Sequence, residues 1–530
     1  MVTVYHTTSK DDPLELGFQL VANRRGGGDN HRVVVPSPPS PTKGLAVEWK
    51  LLEKNLKRYP HFDSDISAND AEHLAKSPSS VAKHAFYPFI LYSMRWNKWA
   101  EKGKKGKLKE RLIRYAARRD AYIYSYYRHL ISEKFEVILA QQGLNNSVIA
   151  YRKVADPSGG GKCNIHFARD AFEGVKAMGD CAVACLDISS FFESIDHARL
   201  KAVWCSVLGV KSLPEDHFSV YKNITSYSYV DKLEAYERLG LFGLKTDPKT
   251  GRQVRGYLVS YDDVPKPQLC KPHEFRQKIA GGDGRASIIH RNDGKEGIPQ
   301  GAPISDVLAN MYLLDFDIAM KAYVEQRGGF YYRYSDDILI AINGGAKEGE
   351  LARAFAVSEI EKSGDKMKIK KEKSSIHVFS RQTSGVLKCH RHFGHEGQGK
   401  NGLEYLGFRF DGQRVYIKDA TISNLWRKVT RSAKRHGHSL VTRYSDKTPS
   451  QILNRVNIEK FIEKFGRVED FGDEKTSVKD WTFWTYARRS SEVMGYMGRP
   501  ISRQLSSFRR VLTEKLVEGV EAAHVRVHKP

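Results

Sequence analysis

Residues 330–342 place the tightest constraint on the fold, because two β-prone runs, 330–334 and 338–342, are separated only by Ser335, Asp336 and Asp337. Such a pattern reads as a hairpin with its acids at the turn. A second β-prone run, 181–188, carries a single acid, Asp187. A third pair of runs, 404–410 and 414–417, flanks Asp411-Gly412, a strong hairpin dipeptide. Acid-bearing strand ends therefore recur at distant points of the chain.

Elsewhere the pattern reads as helical. Apolar spacing over 45–144 suits helices, and within it 101–120 sets nine Lys or Arg against three acids. A charge run of that kind is ordinarily a solvated helix face. It leads, however, into Tyr122-Ile-Tyr-Ser-Tyr-Tyr127, and cations interleaved with rings also suit a phosphate backbone and stacked bases. Both readings stay open. After Asp419 helical spacing returns, with Thr448-Pro-Ser-Gln451 reading as a capping box with Pro at the first helical position. Ile458, Phe461, Ile462 and Phe465 then share one face, and Leu505, Phe508, Leu512 and Leu516 repeat the spacing. Residues 24–44, with a Gly triplet and a Pro-Ser-Pro-Pro-Ser-Pro segment, bury too little apolar surface to offset ordering entropy, so 1–44 is expected to be an arm and flexible linker.

At 530 residues the chain exceeds one core, and several subdomains are expected. Its net charge of +24 suits a polyphosphate partner, and would suit an anionic membrane surface equally well. Basic residues are spread over the chain instead of concentrated on one amphipathic face, which disfavours the membrane. No run of about 18 apolar residues occurs and the first 20 residues hold no signal-peptide core, so a cytoplasmic protein with no membrane partner is expected. The six cysteines are irregularly spaced and read as thiols. Cys389, His390, His392 and His395 are four candidate zinc ligands within seven residues, but the spacing fits no familiar finger, and a polar loop is expected there.

An isolated Asp-Asp pair is ordinarily a solvated turn, since Asp bonds its own backbone. Acids at the ends of neighbouring strands have another use. Magnesium takes hard oxygen ligands and keeps several waters, so two or three carboxylates from different strands suffice to hold it. Two such ions about 3.5 to 4 Å apart activate an attacking oxygen and stabilise a leaving one in phosphoryl transfer.

The words around these acids carry a resemblance. Leu186-Asp-Ile-Ser-Ser-Phe-Phe-Glu-Ser-Ile-Asp196 resembles motif A of reverse transcriptases, Gly297-Ile-Pro-Gln-Gly-Ala-Pro-Ile-Ser305 resembles motif B, and Tyr334-Ser-Asp-Asp337 resembles motif C. Residues 364–374, ending in Glu372-Lys373-Ser374, resemble motif D, and Tyr405-Leu-Gly-Phe408 resembles motif E, the primer-grip hairpin. Five blocks in the family's order, within about 151–419, form a specific signal where any one is weak. The resemblance implies that Asp187 and Asp336 ligate two Mg2+ ions, with Mn2+ a substitute, assisted by the Ile188 carbonyl and with Asp337 in support. It implies that Phe192 is the steric gate against a 2′ hydroxyl, that Gln300 and Gly301 line nucleotide and template, and that Lys373 protonates the leaving pyrophosphate. Lys109-Glu-Arg-Leu-Ile113 resembles the basic-apolar pattern of the family's triphosphate-binding strand, which implies Lys109 and Arg111 as ligands with Arg114, Arg152 and Lys153 competing, while Tyr405, Leu406, Gly407 and Phe408 would grip the primer. Phe483 and Trp484, within 482–489, would lie along the duplex or pack in a helical core.

The implied fold is α+β, a right-hand polymerase with a ferredoxin-like palm, helix-rich fingers and a helical thumb. The corresponding divisions are an arm over 1–44, an N-terminal extension and fingers over 45–180, a palm over 181–420 with an insertion near 200–290, and a thumb over 421–530. Segments 59–63, 84–89, 149–153 and 191–204 resemble bacterial defence-associated and abortive-infection reverse transcriptases. Val441-Thr-Arg443 departs from the retron thumb word, and no RNase H or endonuclease is expected after the thumb. The expected activity is Mg2+-dependent DNA synthesis from deoxynucleoside triphosphates on an RNA template, a dedicated noncoding RNA, in bacterial antiphage defence. The DNA itself would be the output. Template-independent or protein-primed synthesis and a non-catalytic RNA-binding scaffold are the alternatives, and a homo-oligomer stays open.

Overall fold

The first regular strands stand where apolar spacing had pointed to helix. Phe89–Asn97 (β1) and Leu108–Tyr115 (β2) pair antiparallel from Ile90↔Tyr115 to Asn97↔Leu108. Aromatic and β-branched residues crowd β1, and those side chains fit a pleated, half-buried surface. The helical expectation holds before them, at Ala68–Lys76 and Pro78–Ala82, and after them at Arg118–Gln141. This computed structural model describes residues 48–97, 108–157, 159–247, 251–260, 263–393, 401–466 and 482–528. Residues 1–44 and His395 lie outside them. The chain divides into Met1–Lys50 and Leu51–Pro530, and every element named here belongs to the second unit.

The strands that follow are β3 (Cys181–Asp187), β4 (Ser228–Asp231), β5 (Phe242–Thr246), β6 (Gln253–Tyr257), β7 (His290–Arg291), β8 (Phe330–Tyr334), β9 (Asp337–Asn343), β10 (Ser375–Arg381), β11 (Leu387–Phe393), β12 (Leu403–Tyr405), β13 (Phe408–Phe410) and β14 (Val415–Ile417). They form sheets ordered β2-β1-β4-β7, β11-β10-β3-β9-β8 and β12-β13-β14, with β5 and β6 pairing alone. In the second sheet β10-β3-β9-β8 have the order fourth, first, third, second, the split β-α-β arrangement of ferredoxin-like domains. Residues 228–231 and 290–291 pair with β1 or each other, not with the strands that carry the acids.

Strand β3 is central because its side chains are apolar on both faces. Cys181, Ala182, Val183 and Ala184 are all at most 1% exposed. One face packs on the helix Asn164–Met178 through Ile165, Ala168 and Phe172. On the other, the helix Ala346–Glu361 approaches so closely at Gly349 that an added Cβ would stand 2.7 Å from Ile376 Cγ2. Under β8 lies a buried ion pair: the Arg333 guanidinium meets Asp317 at 2.6 and 2.7 Å, and Tyr331 donates to the same carboxylate at 2.6 Å. Both charged side chains are 0% exposed, so removing either partner would cost about 3–5 kcal/mol.

Three further expectations need correction. The run 404–410 is two strands, because Leu406 and Gly407 turn with φ of 45° and 93°. Tyr122, Tyr124 and Tyr127 are at most 3% exposed, Tyr122 accepting from Lys57 N–H and Tyr127 donating to Asp216. They are core, not a stacking surface. The Cys389 segment is strand β11, whose alternation buries Cys389 and turns His390 outward with His392, so these groups do not converge.

Candidate active site

The acids meet through strand register. Asp187 closes β3, Asp337 opens β9, and they are cross-strand partners, which fixes their Cα atoms about 4.5 to 5.5 Å apart. Between β8 and β9 stands a two-residue turn, Ser335-Asp336, with Ser335 left-handed at φ 59° and 3% exposed. The Asp336 carbonyl accepts from Ile188 N–H at 3.0 Å, which closes the turn onto the end of β3.

Crowding shows in the proton affinities. The Asp336 carboxyl is raised by burial and by Asp187. That of Asp337 is pushed up to about 7, first by the protein packed around it and then by Asp336 and Asp187, although its residue surface is open to solvent. Packing around the carboxylate and exposure of the rest of the residue coexist at a strand end. Lys373 answers the excess charge, its ammonium lying 2.5 Å from both Asp187 oxygens. The segment before it holds it there: Ile188 bridges Ile369, Lys370 N–H donates to the Asp187 carbonyl at 2.8 Å, and Ser189 N–H donates to that of Lys368 at 2.8 Å.

Among the described residues no three or more His, Cys, Asp or Glu side chains form a group able to hold a metal. The acids are thus no closed cage. They are a carboxylate cluster already occupied by one cationic group, and magnesium, which keeps waters and takes substrate phosphates, needs no more than one or two carboxylates. The residues fit such an ion.

The other expected residues distribute around this point. Ser190, at φ 46°, starts the turn Phe191–Glu193; Phe191 is buried and Phe192 half-buried. Phe192 and Ile195 carbonyls accept from Ile298 and Gly297 N–H at 2.9 and 2.8 Å, joining this turn to the Gly297–Ser305 loop. In that loop Gln300 accepts from Arg114 N–H at 2.9 Å. Gly301, at φ 121°, has room for no side chain: a Cβ would stand 2.7 Å from the Arg114 carbonyl oxygen. Lys109 and Arg111 share the Ile113 side of β2, and the Arg111 charge acts on Asp336. Tyr405 and Phe408 pair across the β12–β13 turn and are buried, so only Leu406 and Gly407 stand at its tip, where Asn164 donates to the Leu406 carbonyl at 3.3 Å. Phe483 and Trp484 pack in the helical core, with Trp484 5.4 Å from Phe508.

Residues 283–410 match the family model described as reverse transcriptase (RNA-dependent DNA polymerase). The chain carries a reverse transcriptase domain. Within the matched residues lie Gln300, Gly301, Asp336, Asp337, Lys373 and the Tyr405–Phe408 turn, whereas Asp187 and Phe192 precede them and join through β3. No curated protein matches the sequence. Similar solved structures include an apo telomerase from Candida tropicalis truncated from its C-terminal domain, at 10% identity over 68% of this chain and 63% of that one, with a TM-score of 0.35. Another is telomerase from Candida albicans in complex with a TWJ fragment of telomeric RNA, at 10% identity over 85% and 62%, TM-score 0.33. This chain therefore spans less than two thirds of either telomerase chain. Sequence reasoning missed Ser190 and Ser335 as shapers of the candidate site and weighed Arg114 only as a triphosphate ligand, for their contribution here is backbone geometry that no residue type announces.

Proposed function

We propose that the chain is an RNA-directed DNA polymerase of right-hand form, with the β11-β10-β3-β9-β8 sheet as palm, the β2-β1-β4-β7 sheet and the helix Arg118–Gln141 in the fingers, and residues 421–530 as thumb. The observation that carries this reading is the β3–β9 register that brings Asp187, Asp336 and Asp337 together in a chain with a reverse transcriptase match. Mg2+, two ions held by Asp187, Asp336 and the Ile188 carbonyl with Asp337 beside them, or Mn2+ instead, would supply the positive charge that lets a 3′ hydroxyl attack a triphosphate.

The remaining residues bind, select and move a proton. Phe192 lies under the sugar of the incoming nucleotide and leaves no space for a 2′ hydroxyl. Lys109 and Arg111 hold the triphosphate, a role supported by the Arg111 charge acting on Asp336. Gln300 and Gly301 position nucleotide and template, and the Leu406-Gly407 turn supports the primer end. Lys373, released from Asp187, donates its proton to the departing pyrophosphate.

Purified full-length protein with a primed RNA template, Mg2+ and labelled deoxynucleotides is expected to make DNA, and Asp336→Ala to lower incorporation by about a thousandfold or more. Equal product from the variant, or none from the wild type, would overturn the reading. Protease digestion of the product distinguishes priming by protein, since DNA joined to a tyrosine would change mobility. The finer proposal, cytoplasmic bacterial antiphage defence with a noncoding RNA as template, draws support from the likeness of segments 59–63, 84–89, 149–153 and 191–204 to defence-associated enzymes. None of the described helices is long and apolar enough to cross a membrane. Sequencing the nucleic acid that co-purifies tests it, and random cellular RNA would count against a dedicated template.

A further inference from the structure

Among the described residues four other than glycine have left-handed backbone: Tyr151 (φ 61°), Ser190 (46°), Ser335 (59°) and Leu406 (45°). Each such residue is strained and persists only where its surroundings impose the conformation. Ser190 starts the gate turn, Ser335 precedes Asp336, and Leu406 tips the hairpin beside the site. Tyr151 has no part in the function proposed above.

Its surroundings over-determine it. Ile149 N–H donates to the Arg333 carbonyl at 3.1 Å, and Arg333 N–H donates back to Ser147 at 2.7 Å, so the loop runs along β8. The Asn310 amide donates to the Ala150 carbonyl at 2.6 Å. Arg128, paired with both Asp306 oxygens, donates to the Tyr151 carbonyl at 3.1 Å. From this fixed backbone the Tyr151 hydroxyl donates to Ser335 Oγ at 3.3 Å. The residue as a whole is 43% exposed, and its ring centre stands 6.4 Å from that of Tyr334.

We infer that Tyr151 is a positioning residue for the catalytic turn: its hydroxyl braces the left-handed Ser335 and so sets the direction of the Asp336 carboxylate. The inference rests on the polymerase reading. Arg128, Asn310 and Arg333 hold the brace, with Tyr151 itself kept in a left-handed backbone from which its hydroxyl reaches Ser335.

Tyr151→Phe removes the hydroxyl and keeps the ring. In the full chain kcat is expected to fall about tenfold while KM for the deoxynucleotide stays within about twofold, the signature of a misplaced catalytic group. Mn2+ affinity, read by electron paramagnetic resonance without nucleic acid, is expected to weaken several-fold, and Tm to move by no more than about 1 °C. Ser335→Ala should do the same, and the double variant should be no worse than either single one, because both remove one interaction. Unchanged kcat and Mn2+ affinity in Tyr151→Phe, a loss that tracks a fall in Tm, or full additivity with Ser335→Ala would overturn the inference. If the wild type made no DNA, the polymerase reading alone would fall, and Mn2+ affinity would still decide the role of Tyr151.

Discussion

Two helices that lie against each other carry their cations in opposite ways. Asp419–Arg443 and Phe508–Val527 meet at Gly437 and Gly519, where a Cβ on Gly437 would stand 2.3 Å from the Gly519 carbonyl oxygen and one on Gly519 2.6 Å from that of Ala433. On the second helix Arg509 pairs with Glu459, Arg510 with Glu514 and Lys515 with Glu518. On the first, Lys428, Arg431, Lys434, Arg435 and Arg443 are exposed with no ion pair to any described residue, and Asp419 is the sole acid. Leu425, Val429, Ala433 and Leu440 bury the opposite face. A solvated charge run usually balances its signs, as the second helix does; the unbalanced stripe is suited to phosphates supplied by another molecule.

The largest expected effect breaks the seam itself. Gly519→Val drives a branched side chain into backbone, and a loss of about 3 kcal/mol or more, read by chemical denaturation, should take nucleic-acid binding with it. Next, replacing Lys428, Arg431, Lys434 and Arg435 together by Gln should weaken binding to an RNA–DNA duplex about a hundredfold at 0.15 M salt and flatten its salt dependence, with Tm unmoved. Equal binding by that variant would remove the distinction between the helices. Acid should separate surface pairs from buried groups. His377, buried in β10, is held down to about 3 by burial and then by Arg391, whereas unfolded it titrates near its ordinary value. Its folded pKa is depressed, so stability is complete above about pH 6.5 and is lost as pH falls toward 3. His377→Gln should reduce that slope in Tm against pH. Smallest of all, Arg510→Gln should change stability by under about 0.5 kcal/mol and duplex binding by less than about twofold.

Features set by neighbouring residues were legible in the sequence. The Asp411 side chain accepts from Gln413 and Arg414 N–H at 2.8 and 2.7 Å, as its turn signal implied. Thr448 caps Gln451 with Pro449 at the helix start, and Asp336 stands in the β8–β9 turn that alternation pointed to, although Asp337 is already the first residue of β9. Long-range features were not. Strand β4 joins β1 from a position nearly 140 residues later, which no local pattern encodes. The β1–β2 hairpin was obscured by helix-like spacing, and the tyrosines at 122, 124 and 127 resembled a surface because the partners that bury them come from elsewhere. At the candidate site the clustering of Asp187, Asp336 and Asp337 followed from strand patterns, while the left-handed turns beside them came only with the backbone.

The Lys373 ammonium between the Asp187 oxygens has a consequence for how the protein is made. A nascent chain that brings its own counter-ion can assemble its most self-repelling corner with no cation from outside. A metal entering there would exchange one positive charge for another, in a frame already built.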